Sequence, residues 1–173
     1  MKKLLLLLVT SLILSCQAPN NTPAAVSLGY EIENDKKIDI APGETSSTAV
    51  IEEYFKAYNE RDLDKVASLE HSDATFYAPN GTFVDGSEEH IAMSKKVLGT
   101  LEYAQWDLIW SISTDIRFET KPTENWVTTC LNVTTGTDND KTSVQRIVDA
   151  QIIDQKIKKV FIYQRTMTEK ESQ

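Results

Sequence analysis

Two cysteines, Cys16 and Cys130, and two histidines, His71 and His90, are the whole supply of thiol and imidazole ligands in this 173-residue chain. Beyond the N-terminal segment only one cysteine and the two histidines remain, no convincing zinc or haem ligand set, so neither a metal nor a cofactor is expected. Basic side chains are scarce too: 18 Lys and Arg face 26 Asp and Glu, a formal charge of −8. That balance argues against nucleic acid or an anionic lipid surface as an electrostatic partner. Long apolar runs are limited to one, Leu4 to Leu14. It falls well short of the ~20 residues that span a bilayer as a helix.

What surrounds that run has the grammar of an export signal. Lys2 and Lys3 precede it, and small Ser15 and then Cys16 follow it. Ile13-Leu14-Ser15-Cys16 resembles the bacterial lipobox, with Ile13 where Leu is usual. The resemblance implies cleavage after residue 15 and diacylation of Cys16 on sulfur, which would tether the protein to the lipid bilayer. Gln17 is not the aspartate that marks inner-membrane retention in some bacteria, so an outer-membrane address facing the periplasm is implied. Cleavage removes two basic and no acidic side chains, leaving a formal charge of −10. Attachment must then come from acyl chains, at ~0.8 kcal/mol per buried CH₂, and not from surface charge. With Cys16 acylated, Cys130 has no disulfide partner within the chain. Its setting, Trp126 to Val133, reads as a strand, where a buried inert thiol is expected.

Residues 16–45 read as a lipidated cysteine and flexible tether, rich in Pro, Asn and Thr and poor in burial potential, although Val26 to Ile32 has some strand character. From residue 46 the pattern changes. Ser46 or Ser47 offers a helix N-cap, and Val50, Ile51, Tyr54, Phe55 and Tyr58 recur at helical spacing. Asn59-Glu60-Arg61 ends that helix, and Asp62 caps a second one carrying Leu63, Val66, Ala67 and Leu69. Ala74 to Ala78 predicts a short strand, Pro79-Asn80-Gly81 a turn, and Ser87 to Leu98 a third helix. The rest alternates as strands: Tyr103–Phe118, Glu124–Thr135, Ser143–Ile153 and Ile157–Met167, with turns at 136–140 and 154–156. Helices followed by a long meander predict an α+β domain, residues 46–170, with helices gathered on one side of a curved sheet.

Tyr54-Phe55-Lys56-Ala57-Tyr58-Asn59-Glu60-Arg61-Asp62-Leu63-Asp64, followed by Leu69 and Ser72-Asp73-Ala74-Thr75-Phe76, resembles the nuclear transport factor 2-like (cystatin-like) superfamily. The likeness is to its SnoaL-like and ketosteroid-isomerase-like branch. It implies a cone in which a curved antiparallel sheet wraps the N-terminal helices around an apolar pocket. In the steroid isomerases a helix tyrosine and a strand acid donate hydrogen bonds to the oxyanion while an aspartate moves the proton. In register, Tyr54 falls on the tyrosine and Asp149 near the oxyanion acid. The base position falls on Ala78, which carries no proton acceptor. Loss of a positioned base forfeits ~10²–10⁴ in rate. The resemblance therefore implies a domain that binds a small apolar or amphipathic ligand without transforming it. An isomerase or cyclase using Tyr54 and Asp149, and a homodimer paired through the sheet, are the alternatives.

The residues expected at the pocket are Tyr54, Tyr58, Phe76, Ala78, Trp106, Trp110 and Asp149. Tyr54 reads equally as a core tyrosine. Asp149 alternates with Val148 and Ala150, so it occupies the concave or the convex face. Trp106 and Trp110 share one face of the third strand, as pocket wall or core. Trp126, Thr128, Cys130 and Asn132 share another, suited to a polar pocket or a dimer surface. His71 and His90 read as solvated residues near helix ends and turns, and nothing in the spacing brings His90 or Asp85 over the pocket as a substitute base.

Overall fold

The computed structural model describes residues 26–137, 139–168 and 170–171. The expected export signal, Cys16 and the first part of the expected tether lie outside those residues. No described helix is long and apolar enough to cross a membrane.

Eight strands form one curved, unclosed sheet in the order β1-β2-β5-β6-β7-β8-β3-β4, with three helices. Four long strands, β5 (Tyr103–Arg117), β6 (Glu124–Thr137), β7 (Asp140–Ile153) and β8 (Lys156–Thr166), make three hairpin pairs, each strand antiparallel to the next. β3 (Glu70–Tyr77) lies parallel to β8, an exception to the expected all-antiparallel sheet, and β4 (Phe83–Asp85) borders it.

Residues expected to belong to the tether are instead a hairpin: β1 (Gly29–Glu33) and β2 (Lys36–Pro42) pair with each other, and β2 pairs with β5. Their turn, Asn34-Asp35, takes left-handed backbone at both positions (φ 51° and 62°), the type I′ geometry that suits two-residue hairpins. After it, Gly43 sits where no side chain fits. A Cβ there would lie 2.7 Å from Asn125 Nδ2 and 2.9 Å from the Thr114 backbone nitrogen, and closer still to Ser113 Oγ.

Helix α1 (Thr45–Glu60) buries Val50, Ile51, Tyr54, Phe55, Ala57 and Tyr58, the stripe expected from their spacing. Its N-cap is Glu44, without a side-chain cap, while Ser47 is buried inside the first turn. The C-cap, Arg61, adopts φ 58°, and its guanidinium bonds the carbonyls of Leu98 and Leu101. Asn59 bonds both backbone groups of Trp106, at 2.9 Å and 2.8 Å, which ties the end of α1 to β5. Asp62 caps α2 (Leu63–Ser68) through the Lys65 amide, as its position predicts. Helix α3 (Ser87–Leu98) begins after Gly86, which has φ 99°.

The core lies between these helices and the concave sheet face, where Val127, Thr129, Leu131 and Val133 of β6 are almost fully buried. A β-bulge between Leu108 and Trp110 reverses the facing of β5. Trp106 and Leu108 point at the core, whereas Trp110 and Ile112 are 48% and 44% exposed and Ser113 takes the buried face.

Candidate functional site

A cavity of about 260 Å³ opens between α1, α3 and the concave sheet face. Ile51, Leu131, Val148, Ala150, Ile157 and Val160 form its apolar floor. Met93, Val97 and Pro79, all exposed, line its mouth.

One wall, made by Tyr54, Tyr58, His90 and Ser94, is polar. Behind it Glu70 opens β3 with its carboxylate fully buried, and three groups converge on it. Tyr54 donates to Oε1 at 2.7 Å, Ser87 donates to Oε2 at 2.6 Å, and Nδ1 of His90 lies 2.8 Å from Oε1. A carboxylate only accepts, so Nδ1 carries the hydrogen and Nε2 of a neutral imidazole is left as an acceptor. Nε2 meets the Tyr58 hydroxyl at 3.2 Å, and that hydroxyl also bonds Ser94 Oγ at 2.8 Å. Phe76 stacks on the imidazole with ring centroids 3.8 Å apart, fixing its plane. The line Glu70–His90–Tyr58 thus runs from a buried charge to the cavity, and Tyr58 and His90 both line it. Burial pushes the Tyr58 hydroxyl up to about 12, with the nearby Glu70 charge adding to the rise and the Ser94 bond opposing it. Burial first, then Tyr58 and Glu70, raise Tyr54 well above the usual phenol range. Both phenols are therefore neutral hydrogen-bond donors near neutral pH.

Of the residues expected from sequence, Tyr54, Tyr58, Phe76, Ala78 and Trp106 line the cavity. Two do not. Trp110 is turned outward by the bulge in β5. Asp149 lies between Val148 and Ala150, which face the cavity, so it is on the convex face. There it accepts a 2.8 Å bond from Thr128, and partial burial raises its pKa against the effect of that bond. Trp126, Thr128 and Cys130 share that convex face, where Trp126 stacks on Phe161 and Phe161 on Tyr77. Tyr54 is in the wall, yet its only proton is committed to Glu70. Tyr54 and Asp149 therefore cannot act as paired oxyanion donors.

His90, expected to be solvated, is 9% exposed and central to the wall. Glu70, Ser87 and Ser94 were not anticipated. A signal for three of the four was present: Ser87, His90 and Ser94 recur at i, i+3 and i+7, in line with Leu98, as one buried face of α3. His71 bonds the Ile153 carbonyl from the surface, and among the described residues no cluster of three metal-ligating side chains occurs.

The SnoaL-like domain profile matches residues 51–155. No curated protein matches the chain. Among solved structures, a candidate ketosteroid isomerase from Kribbella flavida is 17% identical, with a TM-score of 0.56 over 74% of this chain and 84% of that one. An LEH-like epoxide hydrolase of Mycobacterium tuberculosis is 12% identical, with a TM-score of 0.57 over 70% of this chain and 84% of that one. A candidate SnoaL-like polyketide cyclase from Shewanella denitrificans is also 12% identical, with a TM-score of 0.54 over 70% and 92%. At these identities the likeness establishes the fold alone.

Proposed function

The chain belongs to the SnoaL-like domain family, and from that premise we propose that its pocket binds a small apolar or amphipathic ligand without transforming it, in a bacterial protein held at the cell envelope by lipid on Cys16. One observation carries the binding reading: an apolar cavity of about 260 Å³ retains a few converging polar groups, while Ala78 stands where the resemblance puts the base. Tyr58, whose proton is directed at Nε2 of His90, offers the ligand an acceptor oxygen. Thermal unfolding with and without 1-octanol tests the reading. Binding at a hundred times Kd adds about 2.7 kcal/mol of stability, and no stabilisation by octanol or by longer alcohols removes it. The anchor is tested separately in cells. Labelled palmitate should enter the wild-type protein and not the Cys16→Ser variant.

The Glu70–His90–Tyr58 line supports a second reading, a proton-transfer enzyme of the isomerase or cyclase type. Glu70 would hold His90 in the tautomer with an unprotonated Nε2 bonded to Tyr58, and His90 with Tyr58 would take the place of the absent base. It predicts faster exchange of the α-hydrogens of cyclohexanone in D₂O with wild-type protein than with His90→Gln. Equal rates in both sink it.

A third reading, a homodimer, draws support from the convex face, where Trp110, Ile112 and Tyr163 are 44–60% exposed beside the Trp126–Phe161 stack.

A further inference from the structure

Arg146 is the one cationic side chain in the cavity lining. It sits on the inner row of β7 with Val148 and Ala150, opposite Leu131 of β6 and Gln164 of β8. The pairing of β8 with β3 aligns Phe76 with Val160 and Tyr77 with Phe161. The end of β7 that carries Arg146 is therefore the end where Ala78 and Pro79 form the mouth.

Its guanidinium is only partly engaged. Nε donates to Gln164 Oε1 at 3.0 Å, and among the described residues Arg146 makes no ion pair. The contrast with other arginines is informative: Arg61 is tied to two carbonyls, and Arg165 to Glu171 and Gln145. Among the described residues no acidic side chain is set against the arginine that faces the pocket. Partial burial lowers its pKa, the mark of a desolvated cation without a compensating charge. Removing a charge from water is unfavourable unless a partner arrives.

A guanidinium with two free Nη groups matches a carboxylate bidentately. Elsewhere in the lining, Ile162, Val97, Met93 and Leu98 are apolar. We propose that the ligand is an amphipathic monocarboxylate, its carboxylate paired with Arg146 at the mouth and its apolar body laid along the cavity toward Tyr58. The proposal rests on the ligand-binding reading above and specifies its chemical class. A single arginine sets the charge at one. The polar wall at Tyr58 and His90 gives a further oxygen on the far part of the ligand a place to bond.

Isothermal titration of the purified protein with octanoate and with 1-octanol separates the two levels of inference. Octanoate should bind wild-type protein more tightly than octanol. Arg146→Gln should weaken octanoate about ten- to a hundred-fold, the range of a hydrogen bond to a charged group, and leave octanol unchanged. Arg146→Lys, which keeps the charge but not the fork, should fall between. Equal affinity of wild-type protein for the two probes, or an Arg146→Gln variant with undiminished octanoate affinity, overturns the carboxylate assignment and leaves the pocket reading standing. Binding of neither probe overturns both. Comparison of the two probes on wild-type protein decides the matter even where a variant does not fold.

Discussion

Nδ1 of His90, from α3, and Oε1 of Glu70, from the first residue of β3, lie 2.8 Å apart behind the polar wall of the pocket. The contact joins a helix to a strand twenty residues away, and it fixes which imidazole nitrogen faces Tyr58. Glu70 is at once the buried anchor of the residues that form the wall and the group that would tune any chemistry there.

Removing that anchor should be costly. Glu70→Ala leaves the Tyr54 and Ser87 hydroxyls and Nδ1 of His90 without an acceptor in a buried site. A loss of about 3–5 kcal/mol is expected in urea unfolding. Glu70→Gln keeps one acceptor oxygen and should lose less.

Alkaline stability reports on the buried phenols. An unfolded tyrosine ionises near 10, whereas folded Tyr58 holds its proton to about 12. Between those values the unfolded chain has released a proton that the folded one retains. The contribution is therefore complete below pH 10 and is lost as pH rises toward 12, by about 3 kcal/mol for Tyr58. Tyr54 shifts in the same direction and steepens the fall. Urea midpoints from pH 9 to 12 should decline, and less steeply in Tyr58→Phe.

The β7–β8 turn holds a reserve of stability. Asp154 and Gln155 adopt φ 49° and 58°, a conformation that costs a residue with a Cβ ~1–2 kcal/mol. Gln155→Gly should raise stability by up to about 1 kcal/mol, less than the strain relieved because glycine also frees the unfolded chain. Thermal unfolding measures it.

The convex face is tested by mass. If it pairs two copies, light scattering gives a dimer that Trp110→Lys or Tyr163→Lys converts to monomer with the fold intact by circular dichroism. A monomer at all concentrations removes the reading.

Periodicity and turn residues specify much of this fold on their own. The buried stripe of α1, the Asp62 cap, the bounds of α3 and the four long strands all follow from local chemistry that acts within a few residues. The hairpin β1–β2 was obscured because five and seven residues of mixed polarity become a strand pair only against the edge of β5. Trp110 was assigned to the wrong face because a bulge is a one-residue event that alternation does not register.

By itself, then, the sequence determined the family, the α+β order of elements and the apolar positions of α1 that line a pocket, since each depends on spacing along the chain. Tertiary structure alone decided which polar groups meet. Glu70 and His90 are unremarkable in their own segments, and Asp149 is plausible as an acid in its own. Sheet curvature and the docking of α3 turned the first two inward and left the third outside. Facing is a property of packing, and a polar residue acquires its partner only when two distant elements close on each other.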